Sequence, residues 1–379
     1  MKLVHLSDLH LGKRLNEFSL IEDQEDILNK ILAIVRAEAP EGVMIAGDVY
    51  DKAVPSAEAV ALFDRFLVGL AELTPHIFVI SGNHDSPERI AFAAHLLSRA
   101  GIHLSPVYDG RVRPVELTDE FGTAAVYLLP FIKPAHVRRV FPEETIDTYT
   151  DALGAAVAHL ELDQRKRNIL VTHQFVTGAA RSESEEISVG GADNVDGAVF
   201  APFDYVALGH LHSPQSCGEP KLRYCGTPLK YSFSEAGDRK SVTVAELREK
   251  GDLRLRTVPL TPLRDMVELR GSFEALTAAE FYAGKREDYV HITLTDEQDI
   301  PDALGKLRSV YHNLMKLDYD NRRTRGSAQI DVPGEIERKS PLELFAGFYE
   351  LQNSAPMSEE QSELVEKLVA EIWGEEEHK

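Results

Sequence analysis

Five short polar motifs offer chemistry in this sequence: Asp8-Leu9-His10, Gly47-Asp48-Val49-Tyr50-Asp51, Gly82-Asn83-His84-Asp85, Thr172-His173 and Gly209-His210-Leu211-His212. Together they present carboxylates, imidazoles and an amide oxygen, with no thiolate. Such a set suits manganese, magnesium, iron or zinc better than a soft metal. It holds more ligands than one ion takes from a protein, and a central aspartate can bridge two. A pair of ions about 3.5–4 Å apart clamps the attacking and leaving oxygens of an in-line phosphoryl displacement and lowers the pKa of bound water. Each motif alone is a weak signal, because Asp, Asn and Ser also make turns and caps. The weight lies in all five together.

The elements that must position these motifs are short apolar runs. Candidate strands are Leu3–Leu6, Val43–Ala46, Ile77–Ile80, Ala124–Leu129, Ile169–Thr172 and Tyr205–Leu208, and five of them run straight into a motif. Helical spacing fills the gaps: Ile27, Leu28, Ile31, Leu32 and Val35 share one face, and Val60, Phe63, Phe66, Leu67 and Leu70 another. A third helix is expected from Ser86-Pro87, an N-cap followed by proline, to Gly101. Strand and helix in alternation predict an α/β layered sandwich. In such a sheet ligands bind outside the carboxyl ends of the strands, so motifs far apart in sequence meet at one edge.

Beyond Ser213 the pattern turns to short strands, Val242–Leu247 and Leu253–Val258, expected as a closing antiparallel layer. A small α+β domain is expected over 261–335, with strands near Met266–Leu269 and Tyr289–Leu294 and a helix near Ala303–Lys316. Two amphipathic helices are expected over 341–379, split by Asn353-Ser354-Ala355-Pro356. Ser358 and Gln361 have the spacing of a capping box at the start of the second. Thr177–Asn194, rich in Gly, Ser, Glu and Ala, reads as a loop.

With 43% hydrophobic and 27% charged residues, the chain has globular composition, which excludes wholesale disorder. The net charge is −21, to which 341–379 contribute −8. A surface this acidic does not grip nucleic acid by charge alone. Metal ions, a basic partner or local basic clusters must then do the neutralising. The candidate clusters are Arg138-Arg139, Arg165-Lys166-Arg167 and Arg322-Arg323-Thr324-Arg325, the last favoured because a cap beside the site would meet a duplex. Cys217 and Cys225 make no CxxC motif, MKLVHLSDLHLG has no signal-peptide character, and no uncharged apolar run reaches 18 residues. A soluble, cytoplasmic protein without membrane contact is expected. Of the histidines outside the motifs, His5 (in a strand) and His95 (in a helix) are expected packed or capped. His76, His103, His136, His159, His291, His312 and His378 are expected at the surface.

The five motifs in this order, the region after them and a tail beginning PLELFAGFYELQ resemble the calcineurin-like metallophosphoesterases, and within them the SbcD-type nuclease subunits related to the Mre nucleases. The resemblance runs over almost the whole chain. It implies a metallophosphoesterase domain over 1–260, a DNA-binding cap over 261–335 and a C-terminal helix-loop-helix over 341–379. It further implies two divalent ions, manganese foremost with magnesium as the alternative: one held by Asp8, His10 and His212, the other by Asn83, His173 and His210, with Asp48 bridging. His84 would assist at the leaving oxygen as general acid. Asp51 stands where wider relatives tend to carry His, which leaves it two roles, orienting a ligand or touching substrate. Asp85 is expected to orient its neighbours or cap the following helix.

The resemblance also implies a partner, an SbcC-like ATPase whose coiled coil receives the tail, in a heterotetramer built on a homodimer. Phe345, Phe348 and Tyr349 on one stripe, and Leu368 and Trp373 on the other, would be the anchors, while Arg322, Arg323 and Arg325 would touch DNA. The expected activity is two-metal hydrolysis of DNA at ends and hairpins in repair, recombination and replication. Two readings compete: a phosphodiesterase acting on a nucleotide or small phosphoester, and a non-catalytic scaffold. A missing ligand would mark the scaffold, and none is missing.

Overall fold

The computed structural model describes residues 1–180, 193–282, 284–322, 324, 342, 345–349 and 357–373. It divides into two compact units, Met1–Met266 and Val267–Lys379.

In the first unit, β1 (Lys2–Leu6), β2 (Gly42–Ala46), β3 (Ile77–Ile80) and β4 (Ile102–Leu104) are followed by β5 (Val115–Asp119), β6 (Gly122–Leu128), β7 (Arg167–His173), β8 (Tyr205–Gly209), β9 (Gln215–Ser216) and β10 (Leu222–Tyr224). β11 (Ser241–Leu247) and β12 (Leu253–Pro259) come last. They form two six-stranded sheets, ordered β12-β11-β1-β2-β3-β4 and β9-β10-β8-β7-β6-β5. β1 to β4 are mutually parallel, and β11 closes onto β1 antiparallel, as the alternating pattern after Ser213 predicts. In the second sheet β6, β7, β8 and β10 are parallel.

The sheets share one core. Leu3, Met44, Ala46, Phe78 and Ile80 alternate along the first sheet and meet Val126, Leu128, Ile169, Val171, Tyr205 and Ala207 of the second. The opposite face of the second sheet, with Tyr127, Leu170, Val206 and Leu208, packs against Val137 and against Ala152, Leu153 and Ala156 of a helix over Tyr149–Ala158. All of β2 and β3 is buried, as strands covered on both faces must be. Helix α1 (Ile21–Glu38) buries Ile27, Leu28, Ile31 and Val35, and α2 (Ala57–Ala71), capped by Ser56, buries Leu62, Phe63, Phe66 and Leu70.

The helix expected from Ser86 to Gly101 is broken. Its first turn, Pro87–Ile90, is capped by Ser86, and a second covers Ala94–Leu97. Between them Ala93 is left-handed at φ 59°. Only Ile90 of these two turns is buried, so no continuous stripe supports the segment as one helix. His95 is therefore exposed rather than packed.

In the second unit, β13 (Met266–Gly271), β14 (Tyr289–Leu294) and β15 (Asn313–Tyr319) form a sheet in that order around Leu276, Val290, Ile292, Leu307, Tyr311 and Leu314. The helix expected over Ala303–Lys316 ends at Arg308, and its second half is β15, parallel to β14. Leu307 and Leu314 fit helical spacing, yet both are buried from different elements, and pairing with β14 outweighs the local pattern. In the tail, Glu359–Trp373 is helical. Ser358 N–H donates to Gln361 Oε1 at 2.9 Å and Gln361 N–H to Ser358 Oγ at 3.3 Å, the reciprocal bonds of a capping box.

Candidate metal centre

The carboxyl ends of five strands deliver the motifs to one rim. Asp8 follows β1, Asp48 follows β2, Asn83 and His84 follow β3, His173 ends β7, and His210 follows β8. The two sheets are tied together at this rim, where His173 Nδ1–H donates to the carbonyl of Ala46 at 2.8 Å. Gly209 lies so close that a Cβ there would fall 1.9 Å from the Ala46 oxygen, and a Cβ on Gly82 would fall 2.1 Å from Asp48 Oδ1. Glycine in these two motifs is required by close approach.

The backbone is bent to serve the site. Asp8 (φ 52°), His10 (φ 43°), Asp48 (φ 47°) and His210 (φ 100°) all have positive φ. Such conformations cost of order 1–3 kcal/mol each and persist where the surroundings over-determine them. Here Asp8 N–H donates to the Gly47 carbonyl at 3.0 Å and His10 N–H to the Asp48 carbonyl at 2.9 Å, while His210 N–H donates to Asp8 Oδ1 at 3.0 Å.

Side-chain lone pairs face one another across this rim. His10 Nε2 lies 3.2 Å from His212 Nε2, and Asn83 Oδ1 lies 2.9 Å from His173 Nε2 and 3.0 Å from His210 Nδ1. Asp48 Oδ2 stands among them, 3.3 Å from His173 Nε2, 3.7 Å from His10 Nε2 and 4.0 Å from His84 Nε2. One ligand atom from each of Asp8, His10 and His212 falls within 4.8 Å of the others, and so do those of Asp8, Asp48 and His173. Asp8, His10, Asp48, His173 and His212 are all buried. Buried oxygen and imidazole groups gathered this closely make a donor set that fits divalent ions.

The electrostatics carry the same tension. Burial pushes the Asp8 carboxyl up, and Asp48 adds to it against the pull of His173 and His212. Burial works against Asp48 too, but His173, His10 and His84 outweigh it and hold that carboxyl far below the usual range. His10 is driven well below the ordinary imidazole value, chiefly by burial. His173 goes the other way, up to about 9: burial opposes its charge, but Asp48 prevails.

Among the other motif residues, Asp85 accepts from the N–H groups of Val49, Tyr50 and Gly82 at 3.1, 2.9 and 2.9 Å, so it shapes the turn that presents Asp48. Burial and the nearby Asp48 raise it to about 7 against those donors. The cap of the following helix is Ser86. Asp51 Oδ1 pairs with Lys13 Nζ at 2.8 Å and lies 3.8 Å from His10 Nδ1, while its carbonyl accepts from His84 Nδ1–H at 3.1 Å.

Several residues around the site carry no motif. Tyr231 OH donates to the Leu9 carbonyl at 2.6 Å, and its ring packs edge-on against His10 and His212. Glu235, Lys240 and Thr227 surround His212. Lone residues at such distances in sequence give no spacing signal; only the fold gathers them.

The basic clusters divide. Arg167 is 2% exposed and its guanidinium is bound to Asp119 and to the carbonyls of Gly122 and Leu247, so it serves the core rather than a phosphate. Arg165 and Lys166 pair with Asp163 and Glu116, and Arg138 donates to the Ile146 carbonyl. Arg322 is exposed, and its N–H donates to Glu297; Arg323 and Arg325 lie outside the described residues. Phe345, Phe348 and Leu368 are exposed, Tyr349 OH donates to Gln361 Oε1 at 3.1 Å, and the Trp373 side chain and His378 lie outside the described residues. So do residues 181–192 of the loop. His5 is packed as expected, with Nδ1 2.9 Å from Tyr205 OH. His76 and His103 are half-buried, stacked with Phe78, and His291 is held between Glu268 and Asp318, so these three are not free surface groups. No helix among the described residues is long and apolar enough to cross a membrane.

Comparison with known proteins places this geometry. The family model of the calcineurin-like phosphoesterases matches residues 1–214, and that of the type 5 capsule protein repressor C-terminal domain (SbcD_C) matches residues 262–353. The chain is 32% identical over 379 residues to the SbcD subunit of the nuclease SbcCD of Staphylococcus epidermidis, covering 98% of this chain and 99% of that protein. It is 30% identical over 377 residues to the SbcD subunit of the same nuclease in Staphylococcus saprophyticus, covering 98% of each. Matched along its whole length, the chain is a metal-dependent phosphoesterase that belongs to the calcineurin-like phosphoesterases and, within them, to the SbcD family of nuclease subunits.

Proposed function

We propose that the protein is a DNA nuclease, acting as an exonuclease on double-stranded ends and an endonuclease on hairpins and single strands, as the SbcD-like subunit of an SbcCD-type complex in the cytoplasm. The observation that supports this reading is that Asp8, His10, Asp48, Asn83, His173, His210 and His212 come together on one rim of a two-sheet fold. Asp8, His10 and His212 would hold one divalent ion, and Asn83, His173 and His210 the other. The family resemblance supports manganese as the ion, with magnesium as the alternative. When bound, the ions supply Lewis-acid stabilisation of the phosphorane-like charge and an activated water.

The chain's own residues do the rest. Asp48 keeps the two ligand sets in one register. A carbonyl only accepts, so the Asp51 oxygen fixes a proton on His84 Nδ1 and leaves Nε2 facing the cluster. His84, part-exposed at the rim, would take a second proton onto Nε2 from solvent and give that proton to the leaving 3′ oxygen, returning to the neutral ring with its proton on Nδ1. Positioning and charge stabilisation, not covalent chemistry, are the work of such a site.

Arg322, Arg323 and Arg325 are proposed to contact the DNA backbone from a cap domain over 261–335. The segment 341–379 is proposed to dock on the coiled coil of an SbcC-like ATPase through Phe345, Phe348, Tyr349, Leu368 and Trp373, in a heterotetramer built on a homodimer. The exposure of Phe345, Phe348 and Leu368 supports a helix-in-groove contact. The test is the purified protein on hairpin DNA, linear duplex and a small chromogenic phosphodiester, each with manganese and with magnesium. Cutting of the DNA substrates is expected. Cleavage of the small ester alone would favour the phosphodiesterase reading, and no cleavage with both ions bound would favour the scaffold.

A further inference from the structure

The buried Glu235–Lys240 pair beside His212 has no part in the ligand set. Glu235 ends a short 3-10 turn, Phe233–Glu235, and is 0% exposed. Its Oε2 accepts from Lys240 Nζ at 2.5 Å and from Thr227 Oγ1 at 3.4 Å, which leaves Oε1 turned to His212 Nδ1 at 3.5 Å. The same cluster holds the His212 backbone: its carbonyl accepts from Lys240 Nζ at 2.9 Å and from Thr227 N–H at 3.0 Å. His212 is thus gripped at main chain and ring from one side, and its Nε2 is presented to His10 and Asp8 on the other.

A buried ion pair adds little to stability over an apolar pair of equal volume, so stability does not account for it. The orientation of the second carboxylate oxygen does. We propose that Glu235 is the positioning residue of His212: it holds the proton on Nδ1, so that Nε2 stays an unprotonated, correctly aimed donor to the ion shared with Asp8 and His10. His173 solves the same problem with a neutral carbonyl, that of Ala46. A full carboxylate also makes the imidazole a stronger donor, and removal of such a partner typically costs about 10–100-fold in metal affinity. The inference rests on the two-ion reading of the site.

The test is titration of the metal-free protein with manganese by calorimetry, with Glu235→Gln and with Glu235→Gln/Lys240→Met. Wild type should bind two ions. Glu235→Gln should lose about 10–100-fold in affinity at one site only. Anomalous diffraction should place the weakened ion at Asp8, His10 and His212, with the ion at Asn83, His173 and His210 retained. The double variant removes the buried ammonium, which Glu235→Gln leaves with Asp238 as its one charged partner at 3.3 Å, so it should recover the thermal midpoint of the metal-free protein without recovering the lost affinity. Two normal sites in Glu235→Gln would overturn the role, and so would recovery of affinity in the double variant, because charge balance alone would then explain the effect. Failure of wild type to bind any ion would instead overturn the two-ion reading and the inference with it.

Discussion

At the scale of single residues, the site separates ligands from the groups that aim them. His84 touches Asp48 through its backbone, with its N–H donating to Oδ1 at 2.9 Å, while its ring stands off at 4.0 Å. Replacement by Gln should therefore leave both ions bound and lower the rate of DNA cleavage by roughly 10²–10⁴, the usual worth of a general acid. Metal analysis beside single-turnover kinetics checks this, and loss of an ion or a full rate contradicts it. His5 makes a different prediction. Burial foremost, with the charge of Arg223 adding to it, lowers its pKa to about 3, so the folded state keeps it neutral. A depressed folded pKa means that the stability this histidine contributes is complete above about pH 6.5 and drains away as pH falls toward 3. Denaturant unfolding between pH 7 and 4 should show a shallower loss of stability for His5→Gln than for wild type, and parallel curves would refute the assignment. The candidate ligands, which the fold does bring to one rim, were legible because their types are rare together and each motif follows an apolar run. Glu235, Lys240 and Tyr231 were not, because one carboxylate, one amine and one phenol in a turn-rich stretch look like any surface residues until the chain is folded.

At the scale of elements, the central strands were readable to within two or three residues because they are short apolar runs between polar turns. The edge strands β4, β5 and β9, and the short β10 beside β9, were not: they are brief, half-buried or interrupted by charge, and hydrogen bonds to neighbours decide them. The second half of the expected Ala303–Lys316 helix shows the same override, since β15 exists only because β14 lies beside it. The point where β8 ends in the GHLH motif is under tight steric control. Gly209→Ala would drive a Cβ into the Ala46 carbonyl, and a cost of at least about 1–3 kcal/mol is expected, with weakened metal binding. Gly154, in the helix over Tyr149–Ala158 with nothing within 4 Å of a Cβ, is the control: Gly154→Ala should stabilise by about 0.5–1 kcal/mol. Thermal midpoints of the two variants, measured side by side, decide between local crowding and a general intolerance of alanine.

At the scale of the whole molecule, the proposed chemistry and the proposed assembly fall in different stretches. The seven proposed ligands and His84 all lie in the first unit, whereas the exposed apolar residues Phe345, Phe348, Leu364 and Leu368 lie in the second. A chain ended after Ser340 should remain soluble, keep both ions and hydrolyse a small phosphodiester with manganese. It should fail to co-purify with an SbcC-like ATPase, and ATP should no longer stimulate cutting of duplex ends. Precipitation or metal loss would show that the tail belongs to the core, and retained binding would move the docking surface elsewhere.

The rim where Ala46 of one sheet receives the His173 proton of the other has a consequence for how the protein ages and loosens. Asp8, Asp48 and Asn83 are carried by the first sheet, and His173, His210 and His212 by the second. Divalent ions bound there as proposed would act as rivets across a seam, and their hold would add to folding by mass action, about 2.7 kcal/mol for each site at a free concentration one hundred times its Kd. Stripping the ions with a chelator should lower the thermal midpoint and should do so more in a variant such as Val126→Ala, whose thinned core lets the layers slide. If chelation leaves the midpoint unmoved in both proteins, the seam holds without its rivets. A lowered midpoint would mean that the two layers are held at this rim by what binds there as well as by their shared core.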